Sequence, residues 1–294
     1  MKLTKFLYKH PILALLPAFL MIPVAAGLVY FEILTVNIAS FLAPVTFFLL
    51  YFFQRRTPRV LFSAAADKLE RECDPQAFLT DLRFLMSRRR LPFGFRLVLD
   101  MHYAVGLDAA GENEAAYAWF KQCLPARKRL SGPALLQFDK YYACVALHSE
   151  KGRGEAISMI PRLEEANAEF SGMPSIAVPT RMELDAMRDA AQYYTGNTEG
   201  LAARYAARIE QARPYPQARR RMLQSCIWLA RVYDKEGRVR EARGMYAYVA
   251  ENGPLLGIAK EASKRLEEIC NPKNNASPID KSEENGYNEN SPQG

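Results

Sequence analysis

The stretch Ala230-Arg231-Val232-Tyr233-Asp234-Lys235-Glu236-Gly237-Arg238-Val239-Arg240-Glu241-Ala242-Arg243-Gly244-Met245-Tyr246 decides the fold. Ala230 and Tyr233 share one face of a helix, as do Ala242 and Tyr246, because residues three and four apart are neighbours there. Gly237, between the two pairs, can take the left-handed conformation that ends one helix before the next begins. A small alanine on each helix lets the two backbones approach, and the aromatic rings fill the space around that contact. Pro254 then closes the second helix. The pattern predicts an antiparallel helical hairpin.

Moving outward, the spacing recurs 126 residues earlier as Ala104, Leu107, Gly111, Ala116 and Phe120. It recurs again 40 residues earlier as Ala190, Tyr193, Asn197, Ala202 and Ala206, closed by Pro214 as the last unit is by Pro254. A looser copy, its turn one residue shorter, holds Tyr141, Tyr142, Gly152 and Ala156. Internal recurrence of one hairpin is the signature of a stacked repeat, in which each unit buries its apolar face on its neighbours.

These positions resemble the tetratricopeptide repeat, with Ala230, Tyr233, Gly237, Ala242, Tyr246 and Pro254 standing on that family's signature residues. The resemblance covers residues 97–254. The family's repeat is about 34 residues, whereas these units recur at about 40–45, which implies longer helices or linkers; the family's early first-helix aromatic is missing from the best copy, where Trp228 stands two positions late. A generic α-solenoid is the alternative. The resemblance implies a concave face made by first-helix residues outside the hairpin contact. Carried onto this chain, those are Met101, Val105 and Asp108 in the first unit, Tyr142 in the looser second, Met187 and Tyr194 in the third, and Ile227, Arg231 and Lys235 in the fourth. The resemblance implies that this groove takes an extended or helical peptide with apolar anchors and an acidic end.

The flanking sequence extends the all-α reading. Val60–Cys73 and Pro75–Arg90 read as helices, the second started by an Asp74 cap and Pro75 at its first position. Together residues 58–96 form linking helices between the N-terminal segment and the repeat. Ile258–Ile269 reads as a polar-faced capping helix, completing a repeat domain over 97–270. The last residues, 271–294, are rich in Asn, Ser, Glu and Pro and predict a disordered tail.

The N-terminal part, 1–57, has a different character. From Pro11 to Phe53 the only formal charge is Glu32, which separates two uncharged stretches, 11–31 and 33–53. Each is long enough to cross the roughly 30 Å hydrocarbon core of a bilayer as a helix. A secretory signal would have an apolar core of only about 7–15 residues, so a transmembrane hairpin fits better. Lys2, Lys5 and Lys9 precede the first stretch, and Arg55, Arg56 and Arg59 follow the second. The positive-inside rule then puts both flanks and both termini in the cytoplasm and the Glu32 turn outside. The expectation is an integral membrane protein with two spans.

No phosphate-binding loop, zinc-protease motif, nucleophile elbow or calcium loop occurs in the sequence. The five cysteines form no C-x-x-C pair and the three histidines stand far apart, so neither a metal site nor a cofactor is expected. Gly152-Arg153-Gly154 reads as a helix turn, and His102 and His148 as packed side chains. The runs Arg88-Arg89-Arg90 and Arg219-Arg220-Arg221, in a chain of net charge +7, suit a surface beside an anionic leaflet. Nucleic-acid binding through the same clusters is the weaker alternative, and a membrane-associated hydrolase without a recognisable motif the weakest. The reading is a non-enzymatic, membrane-anchored scaffold that faces the cytoplasm and binds a partner protein or peptide near the bilayer.

Overall fold

The structure, a computed structural model, describes residues 36–88 and 91–270 and the isolated positions 8, 9, 20, 23, 24, 26 and 30. Within the first helix the side chains of residues 36–43, 47 and 49–55 are not among those described. The first apolar stretch apart from those isolated positions, the Glu32 turn, Arg89 and Arg90, and the tail over 271–294 lie outside the described residues.

The described residues are all-helical, with no strand. In chain order the helices are α1 (Val36–Glu70), α2 (Pro75–Met86), α3 (Phe93–Ala109), α4 (Asn113–Arg127), α5 (Gly132–His148), α6 (Arg153–Ala168), α7 (Pro174–Tyr194), α8 (Leu201–Ala212), α9 (Arg219–Lys235), α10 (Val239–Asn252) and α11 (Gly257–Cys270). Apart from α7 and α8, each packs on the next, and α3, α5 and α7 also touch one another in series. The result is a chain of antiparallel pairs around one apolar core, which runs from Leu61 on α1 to Ala262 on α11.

Local sequence accounts for the hairpins. Ala104, Ala116, Ala230 and Ala242 have no exposed surface, and Phe120 and Tyr246 are buried beside them. Gly111 and Gly237 both have positive φ, and each turn is closed by two equivalent bonds. Gly111 N–H donates to Asp108 O and Glu112 N–H to Leu107 O; Gly237 N–H donates to Asp234 O and Arg238 N–H to Tyr233 O. Asp74 caps α2 as its sequence position implies, accepting from Ala77 N–H at 2.9 Å.

The third unit departs from the expected register by one residue. Gly196, not Asn197, takes positive φ, and the buried positions of α8 are Leu201, Tyr205 and Ile209 rather than Ala202 and Ala206. Counting back from Gly196, the place filled by Ala104 and Ala230 falls on Asp189. This buried carboxylate takes Arg204 Nε at 2.7 Å and the Arg208 guanidinium. Ionic contacts between long side chains thus replace the close alanine contact in the α7/α8 pair.

α1 also differs from the expected boundary at residues 57–58. It passes through Pro44 and Pro58 without ending, so the expected Val60–Cys73 helix is the second half of one 35-residue helix. It ends at Glu70, and in the turn that follows, Cys73, with φ of 57°, takes the left-handed place that a glycine more often fills. The Cys73 side chain packs with Leu223 and Leu256, which holds the conformation in place. Among the residues whose side chains are described, no helix is long and apolar enough to cross a membrane; the uncharged run 36–53 belongs to α1, but most of its side chains lie outside that set.

The stack closes on itself. α9 reaches α1 and α11 reaches α3. Arg220 donates from Nε and Nη2 to Glu70 Oε1 at 2.9 and 2.7 Å, across 150 positions of sequence. At the α3/α11 contact, Gly257 meets Gly111 backbone to backbone, and a Cβ on Gly257 would stand 2.3 Å from Gly111 Cα. Only glycine allows this approach.

Candidate functional site

Closure turns what would be an open groove into a cavity of about 580 Å³. It sits where α3, α5 and α7 end and α4, α6 and α11 begin, with α9 as its remaining wall. A volume of this size is in the usual range for a small-molecule site or the end of a peptide. The lining is strongly ionic: Asp108, Glu112, Glu114, His148, Glu150, Arg153, Arg220, Arg231 and Glu261 all contribute, with Tyr194, Asn113 and Gln224 among them.

Most of these charges are already paired. Arg231 holds Glu261 through two bonds, Nε to Oε1 at 2.7 Å and Nη2 to Oε2 at 2.5 Å, and its guanidinium lies 4.4 Å from the Trp228 ring centre. His148 Nδ1 stands 2.9 and 3.0 Å from the two oxygens of Asp108. A carboxylate only accepts, so Nδ1 carries the proton in that contact. Burial works against the charge on Arg220, but the Glu70 carboxylate outweighs it and holds the Arg220 pKa above its ordinary value. Glu114 accepts from Ser149 Oγ at 2.9 Å and from Glu150 N–H at 2.8 Å, and these bonds, led by the hydroxyl, lower its pKa.

Arg153 is different. Its guanidinium lies 3.9 Å from the centre of the Tyr194 ring, and its Nε makes a long contact of 3.5 Å to Leu147 O. Among the described residues no carboxylate pairs with it. Tyr194 is itself fixed edge-on to Trp228, with ring centres 5.5 Å apart, while Tyr205 stacks on the same indole. The cation is thus presented by a rigid aromatic group.

Of the nine groove residues implied by the family resemblance, Asp108, Tyr194 and Arg231 line this cavity. Met101, Met187 and Ile227 are buried in the core. Tyr142 is buried between helices, its hydroxyl donating to Glu155 at 2.8 Å beside that of Tyr117. Val105 is half-buried against the core, and Lys235 donates to Tyr193 O at 3.1 Å outside the cavity. The continuous apolar floor expected from sequence is therefore not an exposed surface. Part of the concave side is filled by α1, whose Phe62 meets His102 edge-on at 4.9 Å.

Sequence reasoning missed His148, Arg153, Arg220, Gln224 and Glu261. Arg153 had one local signal, its place between two glycines at a helix start, but nothing in sequence showed which wall it would face. Of the basic run Arg219–Arg221, Arg220 is half-buried on Glu70, whereas Arg219, which donates to Asn252 O at 2.8 Å, and Arg221 stay exposed. Among the described residues no group of His, Cys, Asp and Glu is arranged to hold a metal ion. No protein-family model, no curated protein and no solved structure matches the chain.

Proposed function

We propose that this chain is a membrane-anchored scaffold: two apolar N-terminal helices, near 11–31 and 33–53, hold a tetratricopeptide-like stack at the cytoplasmic face of a bilayer. A partner protein engages the stack at the rim of its central cavity.

The observation that carries the reading is the position of Tyr8. Its hydroxyl donates to Leu85 O at 2.8 Å, and its buried ring lies 5.7 Å from Phe84 and 5.1 Å from the Arg88 guanidinium. Lys68 pairs with Asp81 across the α1/α2 hairpin, so Leu85 lies further back along α1, toward Leu61. Tyr8 thus sits at the end of that hairpin where α1 enters the packed body. A run charged only at Glu32 that begins and ends on one side of a bilayer requires an even number of crossings, and the lengths of its two uncharged stretches allow two. Residues 36–53, as helix, extend about 27 Å, close to the hydrocarbon thickness. Because α1 continues into the core, the proposed second span is also the stem of the binding body.

Stacked repeats commonly serve as docking surfaces. The test uses the full chain in its own membrane. It should resist extraction by alkaline carbonate, and reporters fused after Gln54 and after Gly294 should both behave as cytosolic. Carbonate release, or export of the C-terminal reporter, refutes the anchoring.

A further inference from the structure

The cavity holds three guanidinium groups and an imidazole, and all but one face a carboxylate: Arg220 has Glu70, Arg231 has Glu261 and His148 has Asp108. Arg153 instead has an aromatic ring beside its guanidinium, 3.9 Å from the centre of Tyr194. Arginine presents its donors in a planar fork that matches a carboxylate, and stacking on a ring holds the plane while leaving the edges free. Further donors stand nearby. α4 begins at this cavity with no side-chain cap, and its first residues Asn113, Glu114 and Ala115 are in the lining; in α6 the Arg153 N–H is already taken by Ser149 O.

The same lining sets a limit on charge. Glu112, Glu114 and Glu150 also line the cavity, and none of them is in an ion pair among the described residues. One free cation can neutralise one negative charge; a second would meet these carboxylates with nothing to offset it. We propose that the cavity binds a single carboxylate through Arg153 on Tyr194, carried by a molecule that is otherwise neutral or positive. A polypeptide C-terminus and a free monocarboxylic acid share this chemistry, whereas inorganic phosphate, which carries a second negative charge in much of its population near neutral pH and lacks the planar carboxylate fork, does not. The proposal deepens the docking reading: it rests on the cavity being where a partner enters and is independent of membrane attachment.

Trp228 is a built-in reporter, since it touches both Tyr194 and Arg231. The chain has two tryptophans, so Trp119→Phe leaves Trp228 as the sole source of indole emission. The full-length Trp119→Phe protein is titrated with acetyl-Ala-Ala-Ala as the free acid, with its C-terminal amide, with propionate and with inorganic phosphate. The free acid should shift the emission saturably, with the amide at least about tenfold weaker, as expected when one charged hydrogen-bonding partner is lost. Propionate equal to the tripeptide identifies a free acid as the ligand; a clear advantage for the tripeptide identifies a chain end. Arg153→Gln should weaken the acid about tenfold or more with the melting temperature unchanged, and Arg153→Lys, which keeps charge without the planar fork, should fall between.

Equal binding of acid and amide overturns the proposal, as does phosphate binding as tightly as the acids. So does no binding of any acid up to about 10 mM, below the affinity a charged pair in a cavity should give. Should these arms fail while partners still copurify with Arg153→Gln, the carboxylate assignment falls and the scaffold reading stands. Should the tripeptide bind through Arg153 while nothing copurifies, the reverse holds.

Discussion

Changing Gly257 to alanine tests the closure on which the cavity depends. The added Cβ would lie 2.3 Å from both Cα and N of Gly111 and 2.7 Å from the Ala110 carbonyl carbon. Ordinary contact begins at 3.4 Å, so α11 and the end of α3 must part by about 1 Å. The obstructing atoms are backbone and cannot rotate aside. Forcing extra volume into such a contact costs about 1–3 kcal/mol, which for a protein of this size lowers the melting temperature by roughly 2–12 °C. The matched control is Gly244→Ala, in α10, where a Cβ meets nothing within 4 Å. There the same chemical change removes only a helix-weakening glycine and should stabilise by about 0.5–1 kcal/mol. Thermal melts followed by circular dichroism at the helix band give both shifts. Opposite signs support the closure. A Gly257→Ala melt that is unchanged, or raised like that of Gly244→Ala, refutes it.

Three further outcomes follow from the packing. Ala242→Leu places a larger side chain in the fully buried α9/α10 contact and should cost about 1–3 kcal/mol, read by the same melts; an unchanged melt removes Ala242 from that interface. His102 is held between Phe62 and Tyr141, and burial lowers its pKa below 6.5. The unfolded chain therefore takes up the proton first as pH falls through 6.5, so denaturant stability should drop between about pH 7 and pH 5, and His102→Phe should flatten that part of the slope. Burial pushes the Cys144 thiol up to about 12 and Cys123 and Cys226 to about 11, whereas Cys270 is exposed. A thiol reagent at neutral pH should label Cys270 first and reach the buried Cys73 and Cys226 only on unfolding; early labelling of Cys226 would contradict its burial.

What was legible in the sequence was local. Ala104 with Ala116, and Ala230 with Ala242, are set by helical spacing on either side of a left-handed glycine, and those signals lie within one hairpin. The third unit was misread by one residue for a physical reason. Ala190 and Asn197 imitate the pattern, while the true register puts Asp189 where alanine belongs, and an acidic residue reads as exposed until its partners Arg204 and Arg208 are seen. Cys73 gave no turn signal because its left-handed conformation is held by packing against Leu223 and Leu256, far along the chain. The cavity was the least legible element. Gly111 and Gly257, or Glu70 and Arg220, carry no mark that joins them. Without that closure, first-helix residues such as Met101, Met187 and Ile227 read as a groove floor rather than as core.

The Glu70–Arg220 pair shows how far the cavity depends on α1. Arg220 is a lining residue, and its partner stands on the last turn of the helix that begins with the uncharged run. Just beyond it, Cys73 packs beneath Leu223 and Leu256, next to the Gly257 contact. Removing the carboxylate by Glu70→Ala leaves Arg220 inside the fold without its charge partner. A wholly buried pair broken in this way costs about 3–5 kcal/mol. These side chains keep 25% and 19% of their exposure, so water screens part of the loss and roughly 1–3 kcal/mol is the better figure. The double change Glu70→Ala with Arg220→Met removes the stranded charge and keeps an apolar stem against α1. It should recover stability relative to Glu70→Ala alone, because well-packed apolar groups often replace a buried ion pair at little cost. The same double variant should leave acid binding at Arg153 intact if Arg220 serves only the wall. A double variant less stable than Glu70→Ala alone would mean that Arg220 does more for the fold than answer Glu70.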